Sequence, residues 1–545
     1  MAADRGNPAR FVRSLTLLGV LLLWWAFGPW VLLLAMACLG LPRVRQWLRP
    51  TRRVLLAWVG AIAAVVLVVV LVPDGRLPIP PGAGALVTPS YAGSPVSAQP
   101  IEITLPQHPS LAANGRSAMH NDGWSSDAYA GAGPLGLDPE VDTAWFGVKE
   151  CATLAFDSAG RLIALCGNLR GAIMHVLDPA SMAPQATLVL PERGDGRGRK
   201  PWENLCGGAY FYLDAEDRAV LATTDRRILT VSTSDARGEP ALHVETAVDL
   251  TDEIPAEDCL IALMPDWRDQ GTWWVTRDGR VGLAPSGSTP DEPSPVLELG
   301  EEIVNSVSVG ADGGLYAVTT HRFVKLRAVR GRIRTVWEQP YDRGSQVKPG
   351  QLSQGSGTTP TLMPGGLVAI TDNAEPRMHV QFHRQSDGAL VCREPVFGDD
   401  ESATENSLVL VDRNAVVVEN NHGYSSPLRT ILGRATPGGF ARVEVDPDTG
   451  TCSTAWTNEI AAPTSVAKAS LANGLVYAYT KKSSPWGVNA WYLTAMDART
   501  GRLAFEVRTG IGILFNNNYA AVTLGPDSSV YVATLAGMVR VRDTG

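Results

Sequence analysis

LAFDSAGRLIALCGN, residues 154–168, reads as two apolar runs folded about a turn that contains Asp157 and Gly160, and the chain repeats this design seven more times. The other copies are FYLDAEDRAVLATTD from Phe211, ALMPDWRDQGTWWVTRD from Ala262, VSVGADGGLYAVTTH from Val307, PTLMPGGLVAITDN from Pro360, LVLVDRNAVVVENN from Leu408, KASLANGLVYAYTKK from Lys468 and VTLGPDSSVYVATLAG from Val522. Their turns recur every 46 to 60 residues. A tight reversal between β-branched runs needs the positive φ angles that Asp, Asn and Gly tolerate, so each copy is predicted to be a hairpin. A weaker pair of strands lies between copies, as in MHVLDPASMAPQATLVL from Met174 and RVEVDPDTGTCSTAW from Arg442. Four strands per unit at a period near fifty is the arithmetic of a propeller blade. Eight units therefore predict an all-β fold, an eight-bladed β-propeller over residues 101–545. A solenoid is the competing arrangement, but strict short periodicity and capping repeats are lacking. Ring closure removes exposed sheet edges by pairing a strand from one terminus with the blade at the other. Because MVRVRDTG ends the chain before a fourth strand, the alternating segment IEITL at 101–105 is predicted to complete the last blade.

The first 76 residues are a different material. Residues 14–42 and 54–73 carry no charge, and the stretch 54–72 is long enough, at about 1.5 Å per residue, to cross a hydrocarbon core of about 30 Å. It predicts a transmembrane helical anchor. Residues 14–42 have Gly28-Pro29 at their middle and read either as one kinked span or as a hairpin that enters and leaves the same leaflet. Arg5, Arg10 and Arg13 precede this segment, and Arg43, Arg45, Arg49, Arg52 and Arg53 separate it from the next. Positive charge stays in the cytoplasm, so everything after Val72 is expected on the extracytoplasmic side of the cell membrane. No small-residue cleavage site follows a short apolar region, so the anchor is expected to be retained. Seven prolines between Pro73 and Pro100 predict a semi-rigid stalk over 77–100, after an anchor over 1–76. Past residue 76 the chain holds 38 Lys plus Arg against 53 Asp plus Glu, a net charge of −15 that excludes a nucleic-acid partner.

Six cysteines, Cys151, Cys166, Cys206, Cys259, Cys392 and Cys452, fall in this exported part. An even number in an oxidising compartment reads as up to three disulfides among fifteen pairings, with several buried as small hydrophobes the competing reading. No Cys/His spacing suggests zinc, and no metal site is assigned.

LTAMDARTGRLAF from Leu493 resembles the quinoprotein (PQQ) repeat, in which Asp, then Thr-Gly, then an aromatic recur at fixed offsets at a blade's outer edge. VEVDPDTGTCSTAW, ending at Trp456, is similar with a longer spacing, and HRQSDGALVC, ending at Cys392, is a degenerate copy. The resemblance implies the quinoprotein-like propeller superfamily, whose folds host dehydrogenases, assembly scaffolds and sensors. Members that use pyrroloquinoline quinone hold calcium with Glu, Asn and Asp. By that resemblance Glu203, Asn204, Asp372 and Asn420 are the available oxygen donors. The adjacent cysteine pair of those dehydrogenases is absent, and no catalytic Asp aligns by motif.

In a propeller the loops that precede the first strand and follow the second open onto the channel at one face. Those positions hold Glu203, Asn204, Glu405, Asn406, Asn516 and Asn517 before first strands, and Asp372, Asn373, Arg377, Asn420 and Asn421 after second strands. Asn168, Arg170, Asp225, Arg226, Arg277, Asn305, His321, Arg322, Thr358, Thr359, His422, Lys481, Lys482 and Asn518 occupy equivalent places. Convergent amides, carboxylates and guanidinium groups suit a small polar ligand; the plainer reading is that loop tips are polar because they are wet. With no GxSxG, HExxH or Walker sequence present, the expectation is a membrane-anchored binding module for a small polar ligand or an envelope protein. A membrane-bound, PQQ- and calcium-dependent dehydrogenase of alcohols or sugars is the alternative.

Overall fold

The computed structural model describes residues 8–48, 52–113, 115–168, 170–193, 205–206, 210–268, 271–285 and 294–545. Eight antiparallel sheets, each with a four-stranded core, follow one another around a ring. Blade 1 runs from Glu150–Phe156 to Pro184–Glu192, blade 2 from Phe211–Leu213 to Pro240–Asp249, and blade 3 from Leu260–Pro265 to Val296–Glu298. Blade 4 runs from Ser308–Val309 to Arg332–Pro340, blade 5 from Thr361–Met363 to Leu390–Pro395, and blade 6 from Val409–Asp412 to Thr451–Asn458. Blade 7 runs from Lys468–Ser470 to Leu503–Ile511, and blade 8 begins at Val522–Leu524. Every repeated hairpin supplies the two inner strands of a blade. The turn Asp does what its position requires: Asp157 accepts the backbone N–H of Arg161 at 2.8 Å and its Nε at 2.6 Å, and Asp214 holds Arg218 in the same way. Blades pack face to face through aromatic and aliphatic side chains, and Phe156 meets Tyr531 across the seam between blades 1 and 8 at 5.4 Å. That contact closes the ring and disposes of the solenoid.

The quinoprotein-like segments serve as docking points between neighbours. Trp456 of blade 6 lies against Gly501 of blade 7, donating its indole N–H to Ala498 O at 3.2 Å, and Trp337 of blade 4 treats Gly388 of blade 5 alike. A Cβ on Gly501 would fall 2.4 Å from the Trp456 ring, so glycine is required there by contact as well as by its φ of +68°.

The closing strand differs from expectation. Pro139–Trp145, and not residues 101–105, pairs with Gly537–Asp543 as the outer strand of blade 8. Residues 101–105 form no ladder; Ile101 donates to Leu471 O at 2.8 Å and packs beneath blades 6 and 7. The proline-rich stretch is likewise no free stalk. Ile79 is buried against blade 8, Gly82 donates to Ile511 O, and Tyr91–Gly93 adds a strand to the outer edge of blade 7. We call the face where the innermost strands begin the upper face. The chain thus descends the outside of blades 7 and 8 to the lower face.

There it turns inward, and residues 108–129 plug the channel. Backbone carbonyls of Arg116, Ser117, Gly123, Trp124, Ser126 and Asp127 accept from Phe156, Leu213, Val309, Leu362, Leu410 and Ala469, the lower ends of the inner strands of blades 1, 2, 4, 5, 6 and 7. His108 Nε2 lies 3.1 Å from Pro265 O of blade 3, and Arg116 Nε donates to Leu524 O of blade 8 at 2.9 Å. All eight blades are therefore tied to one segment. Asp127 is fully buried beneath the channel, bound by Lys468 of blade 7 and by His120 at 3.1 Å.

Among the described residues four helices precede the ring: α1 (Pro8–Phe27), α2 (Trp30–Leu39), α3 (Pro42–Leu48) and α4 (Arg52–Leu71). Gly28-Pro29 forms the tip of an α1/α2 hairpin that rests on the upper-face loop of blade 7, with Trp30 and Trp486 6.0 Å apart and Gly84 and Leu86 donating to Trp25 O and Ala26 O. α4 returns to the same face, where Asp74 pairs with Lys149 at 2.5 Å and Gly75 donates to Trp145 O. Among the described residues no single helix is long and apolar enough to cross a membrane; α2 and α3 together pass that test but are bent by 98°.

The six cysteines that follow the helices pair as Cys151–Cys166 within blade 1, Cys206–Cys259 between the approaches to blades 2 and 3, and Cys392–Cys452 between the outer strands of blades 5 and 6. Removing one member of the buried pair under the plug tests the plug's weight in the fold. Lys468→Met should cost about 3–5 kcal/mol by stranding a buried carboxylate, read as a lower urea midpoint of the full chain in detergent, and K468M/D127N should lose less. A single-variant loss within about 0.5 kcal/mol, the range of ordinary surface changes, would show that the pair does not brace the ring.

Candidate functional site

With its lower end plugged, the channel is a cavity of about 330 Å³ open at the upper face. Its walls come from the approaches to every blade but the third, and its floor from Met119 and His120 of the plug. Of the residues expected at this face, Glu405 and Asn406 line the cavity, as do Asn168, Asn305, Thr359 and Asn518. Glu150, Arg193, Tyr210, Ser407 and Tyr519 complete the polar and aromatic lining. Met119, Leu352 and Val466 are among its apolar lining residues.

The other expected residues hold the walls together. Asn421 accepts from Thr404 Oγ1 at 3.2 Å, Glu405 N at 3.1 Å and Asn406 Nδ2 at 3.0 Å, and donates to Glu419 Oε1 at 2.5 Å. Asn420 bonds the 401–403 backbone, with its Nδ2 2.7 Å from Glu401 O. Asn516 accepts from Tyr424 OH and donates to Thr430 Oγ1 at 3.1 Å, while Asn517 is bolted to Thr464 across the gap between blades 7 and 8. Asp372 is spent on His379 and Gln381, each 2.9 Å away, and Asn373 donates to Arg343 O and Gln346 O. Arg377 pairs with Asp399 on the exposed rim. Glu203 and Asn204 lie outside the described residues. Asp372 and Asn420 thus have their oxygens committed within blades 5 and 6 and do not fit the calcium-ligand role that the quinoprotein resemblance implies. Among the described residues no group of three or more His, Cys, Asp or Glu side chains is placed to hold a metal ion.

His120 sits beside Ser407, 2.9 Å from its Oγ, and beside Asp127. Both neighbours reach the same nitrogen, Nδ1, whereas a relay needs the nucleophile on one ring nitrogen and the acid on the other. The ring is braced here, not set up to activate Ser407. Burial raises the Asp127 carboxyl, but Lys468 and His120 outweigh it and hold the group below the ordinary carboxylate range.

Two carboxyls in the wall behave oppositely. Burial pushes Glu150 up to about 8, against the Asn518 amide and the Arg193 charge. Glu405 is pushed up to about 8 by burial and by the nearby Glu302. Glu419, behind Asn406, is raised well above its ordinary value by burial. Tyr210 and Tyr519 are raised by burial as well, with the charge of Glu405 adding to both. Position relative to the strands found Glu405, Asn406 and Asn518; it missed Glu150, which stands directly at the start of the first repeat's strand, and His120, whose segment carries no repeat.

No family model matches the chain. An uncharacterized protein of Archaeoglobus fulgidus is 27% identical over 301 residues, which take in 49% of this chain and 58% of that protein. The chain therefore spans little more than half of that relative's length. Among solved structures, BamB from Moraxella catarrhalis is similar with a TM-score of 0.33 and 14% identity, covering 59% of this chain and 95% of its own. Sqt1 from Chaetomium thermophilum, bound to the N-terminus of the ribosomal protein L10, gives 0.44 and 12%, covering 80% and 98%. A streptogramin B lyase gives 0.37 and 10%, covering 74% and 98%. At these scores the architecture rests on the strand order itself.

The raised carboxyls set a pH dependence. A folded chain that keeps protons on Glu150 and Glu405 up to about 8, where the unfolded chain releases them near 4.5, loses stability as pH rises between those values. His108 and His175, lowered to about 4 by burial, act in the opposite sense, but only below 6.5. Between pH 7 and 8.5 the melting temperature of the full chain should fall, and E150Q/E405Q should flatten that slope. An unchanged slope in the double variant would remove these carboxyls as its source.

Proposed function

We propose that the chain is a membrane-anchored, extracytoplasmic propeller that binds a small ligand in its plugged channel without transforming it. The observation that carries this reading is the single-mouthed cavity, lined by polar and apolar groups together, with no relay at His120. The anchor is supported by apolar side chains that nothing in the molecule covers, among them Leu22, Leu33, Leu56 and Leu71, exposed by 56, 63, 67 and 69%. Arg13 stacks on Trp47 of α3 at 5.9 Å, which brings Arg13 to the same end of the helices as Arg43 and Arg45. That arrangement favours the hairpin reading of residues 14–42, with both clusters in the cytoplasm. Three disulfides fit an oxidising compartment. A protein partner is the second reading, favoured by Leu428, Leu432 and Trp486 exposed on the upper face.

Two measurements test this. In intact spheroplasts a membrane-impermeant maleimide should label G545C in a C38S background, and labelling only after lysis would overturn the topology. In a thermal-shift panel of small cations, anions and polyols, the full chain in detergent should gain about 2.7 kcal/mol at a hundredfold excess of a true ligand over Kd. Ala152→Phe, which adds bulk to a half-buried lining position, should erase that response. Silence across the panel, or a response that A152F leaves intact, would overturn the channel site.

A further inference from the structure

The wall contributed by blade 6 holds polar oxygens that, among the described residues, no other group of the chain pairs with. Glu405 Oε2, Asn406 Oδ1 and Glu419 Oε2 are each buried without a hydrogen-bond partner. Asn406 and Glu419 are both only 4% exposed. The Asn406 amide is fixed: its Nδ2 donates to Asn421 Oδ1 at 3.0 Å, Glu419 Oε1 at 3.2 Å and Ser465 O, so its oxygen is the end left without a partner, on a residue that lines the cavity. A buried polar atom left without a partner is costly, and Glu405 and Asn406 bring two such oxygens to the cavity lining, where a group rich in N–H would pair with them.

The charges near it are already committed. Arg193 faces Glu150, and Lys468 is held by Asp127 and by Met119 O below the floor. Glu405 faces Glu302 from the approach to blade 4, Tyr210 from blade 2 and Tyr519 from blade 8, with Glu419 on its own blade and His120 on the floor of the same cavity. Water or a polyol would offer donors but no charge to favour the ionised form of either carboxyl. An anion would meet an excess of acids. The faces of Tyr210 and Tyr519 add the surface on which a cation is stabilised, and Met119, Leu352 and Val466 suit an apolar body.

We infer that the channel binds a small organic cation, an ammonium or guanidinium group on a short apolar body, with the charged head against Glu405 and Asn406 and with Glu419 behind them. This inference rests on the binding-module reading and names its ligand class.

Calorimetry on the full chain in detergent, with butylammonium, butanol and butyrate as probes, tests it. Butylammonium should bind, and the others should not. Because the cation is held best by an ionised Glu405, its affinity should rise by about tenfold per pH unit from 6 to 8, with close to one proton released, measured from heats in buffers of different ionisation enthalpy. Glu405→Gln should weaken binding at least tenfold at pH 8.5 and abolish the proton release; should E405Q fail to fold, the wild-type proton release still decides. Binding of butyrate or butanol as tight as that of butylammonium and blocked by A152F would overturn the cation assignment while leaving the channel site standing. Butylammonium binding indifferent to pH and to A152F would place the cation elsewhere and overturn the inference. Failure of all three probes would overturn it too, and the thermal-shift panel would then decide separately whether the channel binds anything.

Discussion

A ring of sheets has a difficulty at its centre. Each innermost strand presents an unpaired edge to the channel, and its N–H and C=O groups need partners. This chain meets that demand at the lower face with residues 108–129, which supply a bond to the end of every inner strand in turn. Ring and plug are therefore mutually dependent. The plug folds its turns about Asp122, which accepts from Trp124 N, Ser126 N and Ser126 Oγ, but its outward carbonyls find their donors only in the ring, and without it the inner strands are left with unsatisfied ends. The buried Asp127, held by Lys468 from the ring and His120 from the plug, locks the two together with charge where hydrophobic packing alone would permit sliding.

The site inherits its form from that arrangement. Because the floor is part of the plug, His120 is positioned by Asp127 beneath it and Ser407 beside it, and the cavity cannot deepen without breaking the brace. The upper walls are held by amides that reach from loop to loop, such as Asn517 to Thr464 and Asn421 to the start of blade 6. These bolts are what leave Glu405 and Asn406 fixed in place with free acceptor atoms.

Much of the ring was legible in sequence because each hairpin signals itself locally: Asp157, Asp214 and Asp527 close their own turns, whatever lies around them. The closing strand was not, because Pro139–Trp145 is an outer strand with one wet side and an irregular burial pattern, so it lacks alternation. Residues 101–105 do alternate, yet for another reason: Ile101, Ile103 and Leu105 press on the undersides of blades 6 and 7. The plug was invisible because it runs across strands instead of along one, so no period of two or 3.6 marks it. At the site, placement before a first strand identified Glu405 and Asn406 but did not separate them from Asn516 and Asn517. That distinction depends on whether a neighbouring loop is near enough to take the amide, which is a property of the assembled ring.

Both connections to the helices, the Gly28-Pro29 tip on the blade 7 loop and the Asp74–Lys149 pair, lie on the upper face, where the cavity also opens. With the helices in a bilayer, the mouth looks toward the lipid headgroups, and the plugged underside is what the surrounding medium meets. A molecule bound for the cavity would then travel through the thin layer between ring and membrane, where amphiphilic cations accumulate against anionic headgroups. Its supply would be governed by surface concentration and lateral diffusion more than by its concentration in free solution.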